Sequence, residues 1–182
     1  MTTEYAYRLS VVGTAGSGKT TLACQIADQL EIPHVELDAL YWGPEWSPAP
    51  LQLFRARVTD AVQEERWVVD GNYSKVRDIV WGRAETVIWL DYELPVILWR
   101  LVRRTLRRSI KRHQLWHGNR ESLSRALFSR ESIVLWALKT YRRRRREYSA
   151  LFNEATYSHL NMVHLQSPQA VRAWAAALEV TG

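Results

Sequence analysis

The chain has 182 residues, 47% of them apolar, and a formal net charge of +6. That length and composition suit one globular domain with a sizeable core and exclude a disordered chain. No apolar run approaches the roughly 18 residues a membrane-spanning helix needs, and no basic leader precedes the first strand-like run, so the expected location is the cytoplasm.

The chain opens with the strand-like run Arg8–Val12, which leads into Gly13-Thr14-Ala15-Gly16-Ser17-Gly18-Lys19-Thr20 and then a helical run, Thr20–Leu30. The eight-residue stretch is a complete G-x-x-x-x-G-K-[ST] phosphate-binding loop in the strand–loop–helix context the motif requires. Its glycines let the backbone approach a ligand, its N–H groups face a polyphosphate, and the positive end of the next helix backs them. Lys19 is placed for the β- and γ-phosphates, Thr20 for Mg²⁺ and Thr21 for the α-phosphate, so ATP and Mg²⁺ are the expected ligands. Cys24, the single cysteine, falls inside this helix and is expected as a small core residue.

Further strands are expected at His34–Leu37, Trp67–Val69, Thr86–Leu90 and Met162–Leu165. They are short and apolar, and helical stretches alternate with them, as in an α/β domain with a parallel sheet. Asp38, Asp70 and Asp91 follow three of them. The carboxyl ends of parallel strands line the ligand crevice, which puts these carboxylates beside the phosphate loop. Asp70 is a candidate metal residue, with a helix N-cap as the alternative. Asp38 is the candidate to contact the acceptor or take its hydroxyl proton, with a structural cap as the alternative. The Trp- and Pro-rich segment Leu40–Pro50 is expected to be irregular, and Trp42 and Trp46 within it are candidates to stack on an acceptor ring, with core packing as the alternative. A helix from about Leu51 to Glu65 follows it.

A basic helix is expected from Leu94 to about Arg112, then an irregular stretch, His113 to Asn119. A helical region, broken near Ser129, reaches about Asn153, and a last helix spans Pro168–Leu178. Arginine dominates the positive charge, and its planar fork suits phosphate oxygens. The block Arg142 to Arg146 covers more than one helical turn, so its five side chains cannot all face one ligand.

Several stretches resemble the adenylate kinase group of P-loop kinases, and more closely the bacterial DNA topology modulation proteins related to it. They are Gly13–Thr21, Leu37-Asp38-Ala39-Leu40-Tyr41-Trp42, Trp67-Val68-Val69-Asp70-Gly71-Asn72-Tyr73, Trp89-Leu90-Asp91 and Gly118-Asn119-Arg120-Glu121-Ser122. The resemblance implies a three-layer P-loop NTPase fold, with a five-stranded parallel sheet of order 2-3-1-4-5 and an Arg-rich helical lid. It implies one domain over residues 1–182, with an acceptor-side segment at about 39–66 and a lid at about 112–146. It also implies that Arg100 contacts the nucleotide phosphates and that Arg104 and Arg120 act on the transferring group. Where adenylate kinases carry Asp-Gly-Phe-Pro-Arg, this chain has Asp70-Gly71-Asn72-Tyr73-Ser74, with Arg77 the next arginine. Asn72, Tyr73 and Arg77 are therefore candidate acceptor contacts, and AMP is not the expected acceptor.

Two function classes follow. The first is an ATP-dependent phosphotransferase on a nucleotide, nucleoside or small metabolite. The alternative is a nucleic-acid-binding or regulatory P-loop NTPase, suggested by the sequence pI near 9.7. The first is preferred because the basic clusters lie where a kinase lid belongs.

Overall fold

The computed structural model describes residues 8–110 and 133–179. Five strands, β1 (Arg8–Gly13), β2 (His34–Glu36), β3 (Trp67–Asp70), β4 (Thr86–Leu90) and β5 (Asn161–Leu165), form one sheet. Every pairing is parallel and the order is β2-β3-β1-β4-β5, the order that the resemblance implies. The helices are α1 (Lys19–Leu30), α2 (Leu37–Tyr41), α3 (Leu51–Ala61), α4 (Arg77–Arg83), α5 (Leu94–Ile110), α6 (Ile133–Leu151) and α7 (Pro168–Glu179).

The continuously apolar strands have the physical cause inferred for them: both faces of the sheet are covered. Successive strand residues point to opposite faces. Leu9, Val11, Val68, Ile88 and Leu90 join one core with Leu22 and Ile26 of α1, Ile97 and Leu101 of α5 and Ala175 of α7. Val12, Trp67, Val69, Val87 and Trp89 join the other, with Phe54 and Val58 of α3, Val80 and Trp81 of α4, and Tyr148 and Leu151 of α6. Trp67, Trp81 and Trp89 are thus core residues, and the second core is the aromatic one.

Some expectations are corrected. β2 stops at Glu36, and Asp38 lies inside the short helix α2 rather than at a strand end. The helix expected to reach Glu65 ends at Ala61, because Gln63 to Arg66 are polar and exposed and form the turn into β3. Helix α4 was not anticipated. It has a single turn's worth of apolar periodicity (Val80 and Trp81 buried), too short to stand out beside the long helices. Cys24 is exposed rather than in the core: α1 buries Leu22, Ala23 and Ile26, which turns position 24 outward. The segment after α2 is a closed loop. An antiparallel bridge joins Trp42 and Pro48, with Gly43 N–H bonded to Ser47 O at 2.8 Å and Ala49 N–H to Tyr41 O at 2.8 Å. At its tip Glu45 and Trp46 hold φ of 55° and 58°, the left-handed region that non-glycine residues occupy at a cost of about 1 kcal/mol or more each. No helix among the described residues is long and apolar enough to cross a membrane.

Candidate active site

The phosphate loop runs from the end of β1 into α1. Gly13, Gly16 and Gly18 take φ of 147°, 85° and 95°, and Ser17 N–H closes the loop on Thr14 O at 3.0 Å. Gly16 is required twice over: its φ disfavours any side chain, and a Cβ would lie 2.6 Å from Leu101 Cγ. Ala15 is half-buried and Thr14 buried at the loop's base, and Thr21 faces outward from the first turn of α1. Ser17 is fully buried and its Oγ has no hydrogen-bond partner among the described residues.

Lys19 is half-buried, and its ammonium donates a long bond of 3.5 Å to Thr14 O. Burial pulls its pKa down from 10.5 to about 8, against the pull of Asp70 and Asp38 and with the help of Arg144 and Arg104. Two carboxylates and two guanidiniums, from four separate elements, therefore act on one lysine. Arg104 is a half-buried residue of α5.

Asp70, at the end of β3, is 5% exposed. Its Oδ2 accepts the Thr20 hydroxyl at 2.7 Å and its Oδ1 meets His34 Nε2 at 3.1 Å. Burial alone would lower the His34 pKa, but the hydrogen bond and charge of Asp70 raise it above the ordinary value. On the other ring edge His34 Nδ1 meets Cys24 Sγ at 3.5 Å. His34 was not singled out in the sequence. It sits on β2, paired with Val68 of β3, and only the strand order brings it to Asp70. Gly71 makes this corner, since a Cβ there would lie 2.7 Å from Leu37 Cβ.

These residues suit the expected ligands. Gly16 and Gly18, at φ of 85° and 95°, turn the loop into the N-terminus of α1, where backbone N–H groups suit a polyphosphate. Thr20 and Asp70 offer hard oxygen donors, and Mg²⁺ takes only one or two protein oxygens beside phosphates and water. Among the described residues no cluster of three or more His, Cys, Asp or Glu could form an all-protein metal site.

Asn72 holds the loop from the side. Its Oδ1 accepts Gly13 N–H at 3.1 Å, its Nδ2 donates to Gly13 O, and Tyr148 OH of α6 donates to the same Oδ1 at 3.0 Å. Its amide thus serves the backbone of the phosphate loop. Tyr73 donates to Asp38 Oδ1 at 2.5 Å, and burial followed by the Asp38 charge pushes its own pKa far up, so it stays a donor. Tyr73 is wedged between Tyr41 and Phe54, with centroids 4.8 and 5.1 Å away. Trp42 and Trp46 are half-buried and pack edge-to-face at 5.9 Å beside Tyr41, forming one wall near Asp38. Arg77 pairs with Glu147 at 2.5 Å and lies over Trp81 and Tyr148.

Arg100 donates from Nη1 to Ser17 O at 2.9 Å and stacks on Tyr92 at 5.0 Å, which fixes it to the underside of the loop. The arginine block resolves by face. Arg142, Arg143 and Arg146 are exposed, whereas Arg144 and Arg145 turn inward. Arg145 Nε reaches Asp91 at 3.0 Å, and His164 Nε2 reaches the same Oδ2 at 3.0 Å, so Asp91 anchors α6 to the sheet. Arg120 lies outside the described residues, as does most of the expected lid; its last part, from Ile133, is the start of α6.

No family model and no curated protein matches the sequence. Solved structures do match over nearly the full chain. A shikimate kinase from Acinetobacter baumannii in complex with shikimate has a TM-score of 0.59 at 15% identity, covering 96% of this chain and 92% of that one. A shikimate kinase from Bacteroides thetaiotaomicron scores 0.54 at 15% identity (97% and 98% covered), and a gluconokinase from Sinorhizobium meliloti 1021 scores 0.53 at 17% (97% and 93% covered). At such identity the likeness shows the fold, which is that of P-loop kinases.

Proposed function

We propose that the chain is an ATP- and Mg²⁺-dependent phosphotransferase acting on the hydroxyl of a small molecule. The observation that carries this reading is the convergence of three groups on one crevice: Lys19 in its loop, the Thr20–Asp70 pair, and Asp38 held by Tyr73. Motors and regulatory GTPases share the loop, but Asp38 beside it is the group a hydroxyl acceptor needs.

ATP would supply the phosphoryl group, and Mg²⁺ when bound would neutralise its charge. Lys19 binds and orients the phosphates, and Thr20 and Asp70 offer oxygens to the metal. Arg104 and Arg144 add positive charge around Lys19, and Arg120 is the further lid candidate. Asp38 accepts the proton of the acceptor hydroxyl while Tyr73, kept protonated, fixes its orientation. Trp42 and Trp46 form the acceptor wall. The fold likeness to shikimate kinases and a gluconokinase supports a small hydroxylated acceptor. The residue-level resemblance to topology modulation proteins supports a place beside them in this kinase group.

The test is an ATP-consumption screen over nucleosides, nucleoside monophosphates and small hydroxylated metabolites, run with the native chain and Lys19→Ala. We expect acceptor-dependent ADP release from the native chain alone. Equal ATP-dependent activity in Lys19→Ala would sink the assignment.

A further inference from the structure

Helix α5 turns different residues to the protein and to solvent. Ile97, Leu101 and Thr105 are buried, and Arg100 reaches the phosphate loop. On the outer face Trp99, Val102 and Leu106 are 60%, 38% and 44% exposed. Their spacing of three and then four residues sets them in one row along the helix. Arg103 and Arg107, both exposed, border the row, and the Arg103 guanidinium lies over the Trp99 ring at 5.0 Å. We propose that this face docks on an anionic membrane surface, with the apolar row entering the headgroup region and the arginines meeting lipid phosphates.

Single exposed apolar residues are ordinary on a protein surface, but a contiguous row of them marks a contact site. Three of the six large apolar side chains exposed among the described residues fall in this row, and a fourth, Leu138, is on α6, which packs against α5. The charge around the row has one sign. Five of the 17 residues of α5 are arginine and none is acidic. Glu93, just before the helix, faces Arg145 at 3.7 Å, and α6 adds the exposed Lys139, Arg142 and Arg143. A basic amphipathic helix of this kind complements anionic lipid headgroups. Tryptophan suits the boundary, with an apolar body and a polar N–H, and arginine can lay its stem along hydrocarbon while its head stays at the phosphates. At 17 residues with five charges, α5 is too short and too polar to span a bilayer, so it would lie on the surface.

Other occupants fit the face less well. A second copy would set one arginine-rich helix against another, opposing like charges. A nucleic acid would stack a base on Trp99, but Arg103 already covers that ring, and Val102 and Leu106 offer nothing to a base or a phosphate. An anionic bilayer answers both the row and the charge. Trp99, Val102, Arg103, Leu106 and Arg107 have no part in the proposed reaction, so membrane docking stands or falls apart from the kinase reading.

The experiment sediments the full chain with sucrose-loaded vesicles of phosphatidylcholine, alone or with about 30% phosphatidylglycerol. We expect binding to the anionic vesicles about tenfold or more tighter than to the neutral ones, and a loss of about tenfold between about 0.1 and about 0.5 M salt. Trp99→Ala, and Arg103→Gln combined with Arg107→Gln, should each weaken binding about tenfold. These positions are exposed, and an unchanged Tm in each variant checks that the fold is intact. Lipids brominated on their acyl chains should quench tryptophan emission in the native chain. Trp99→Phe should keep the binding and lose the quenching, which separates entry of the row from charge attraction alone. Equal binding to neutral vesicles, or binding untouched by Trp99→Ala with no quenching in the native chain, would overturn the proposal. Self-association in sedimentation velocity, or capture of a single-stranded oligonucleotide, that Trp99→Ala abolishes would overturn it in favour of a second copy or a nucleic acid.

Discussion

The proposed donor and acceptor halves of the crevice are built in opposite ways. The donor half is local: eight consecutive residues and the helix they open supply the cradle, the ammonium and the hydroxyl. The acceptor half is assembled from distant parts of the chain: Tyr73 reaches Asp38 across 35 positions, Arg77 reaches Glu147 across 70 and Tyr148 reaches Asn72 across 76. A local motif can be carried intact between proteins. An assembled site changes whenever one of its contributing segments changes, which is how one fold comes to serve different acceptors.

The sharpest way to break this comparison is at Lys19. Lys19→Ala should lower kcat/KM about 10³-fold and remove ATP binding, measured by calorimetry. The same residue predicts a pH response. Its charged form binds phosphate, so ATP affinity should weaken by up to about tenfold per pH unit above 8. Stability runs the other way. The unfolded chain keeps the Lys19 proton up to about 10.5, whereas the folded one releases it near 8, so the lysine's contribution to stability rises with pH across that window. Lys19→Met should therefore stabilise the ligand-free protein at pH 7 by about 1–2 kcal/mol after allowing for solvent screening, seen as a higher Tm. A Tm that falls would show that the buried charge is compensated in full.

Asp38→Asn should lower kcat about 10²-fold while ATP affinity changes less than about twofold. Parallel losses would place Asp38 in the donor half and erase the distinction drawn above. His34 is a smaller test, at the seam between β2 and the metal-side carboxylate. His34→Ala leaves Asp70 Oδ1 without its partner and should weaken Mg²⁺-dependent ADP binding about tenfold, with His34→Gln recovering part of the loss. Unchanged Mg²⁺ dependence would reduce His34 to a strand residue that happens to touch Asp70. The smallest expected effect is Tyr148→Phe. It keeps the packing on Trp81 and Trp89 but removes the bond to Asn72, and should cost about 1 kcal/mol in urea unfolding. A loss of ATP affinity without a loss of stability would mean that Asn72 tunes the loop rather than merely holding it.

Much of this was legible because the relevant physics is short in range. Five apolar runs between helical stretches give parallel strands, and every observed strand lies within a residue or so of its expected bounds. Asp70 was found because a carboxylate at the end of a buried parallel strand faces the crevice. Cys24 was misjudged because one apolar-sized residue in a helix says nothing of which face it takes, and the neighbouring Leu22, Ala23 and Ile26 took the buried face. Helical geometry shows that the five arginines cannot all turn inward, but which ones do depends on tertiary contacts such as Asp91 with Arg145.

The sequence by itself determined the phosphate loop and the alternation of strands and helices, and so a parallel sheet, whose order only the resemblance implied. These depend on spacing along the chain, on glycine's backbone freedom and on the burial of both sheet faces. Only the tertiary structure decided that His34 backs Asp70, that Tyr73 orients Asp38, that Asn72 clamps Gly13, and that Arg144 faces the crevice while Arg145 holds the sheet. Those contacts join residues 35 to 59 positions apart or depend on the roll of a helix about its axis. No local pattern encodes either one.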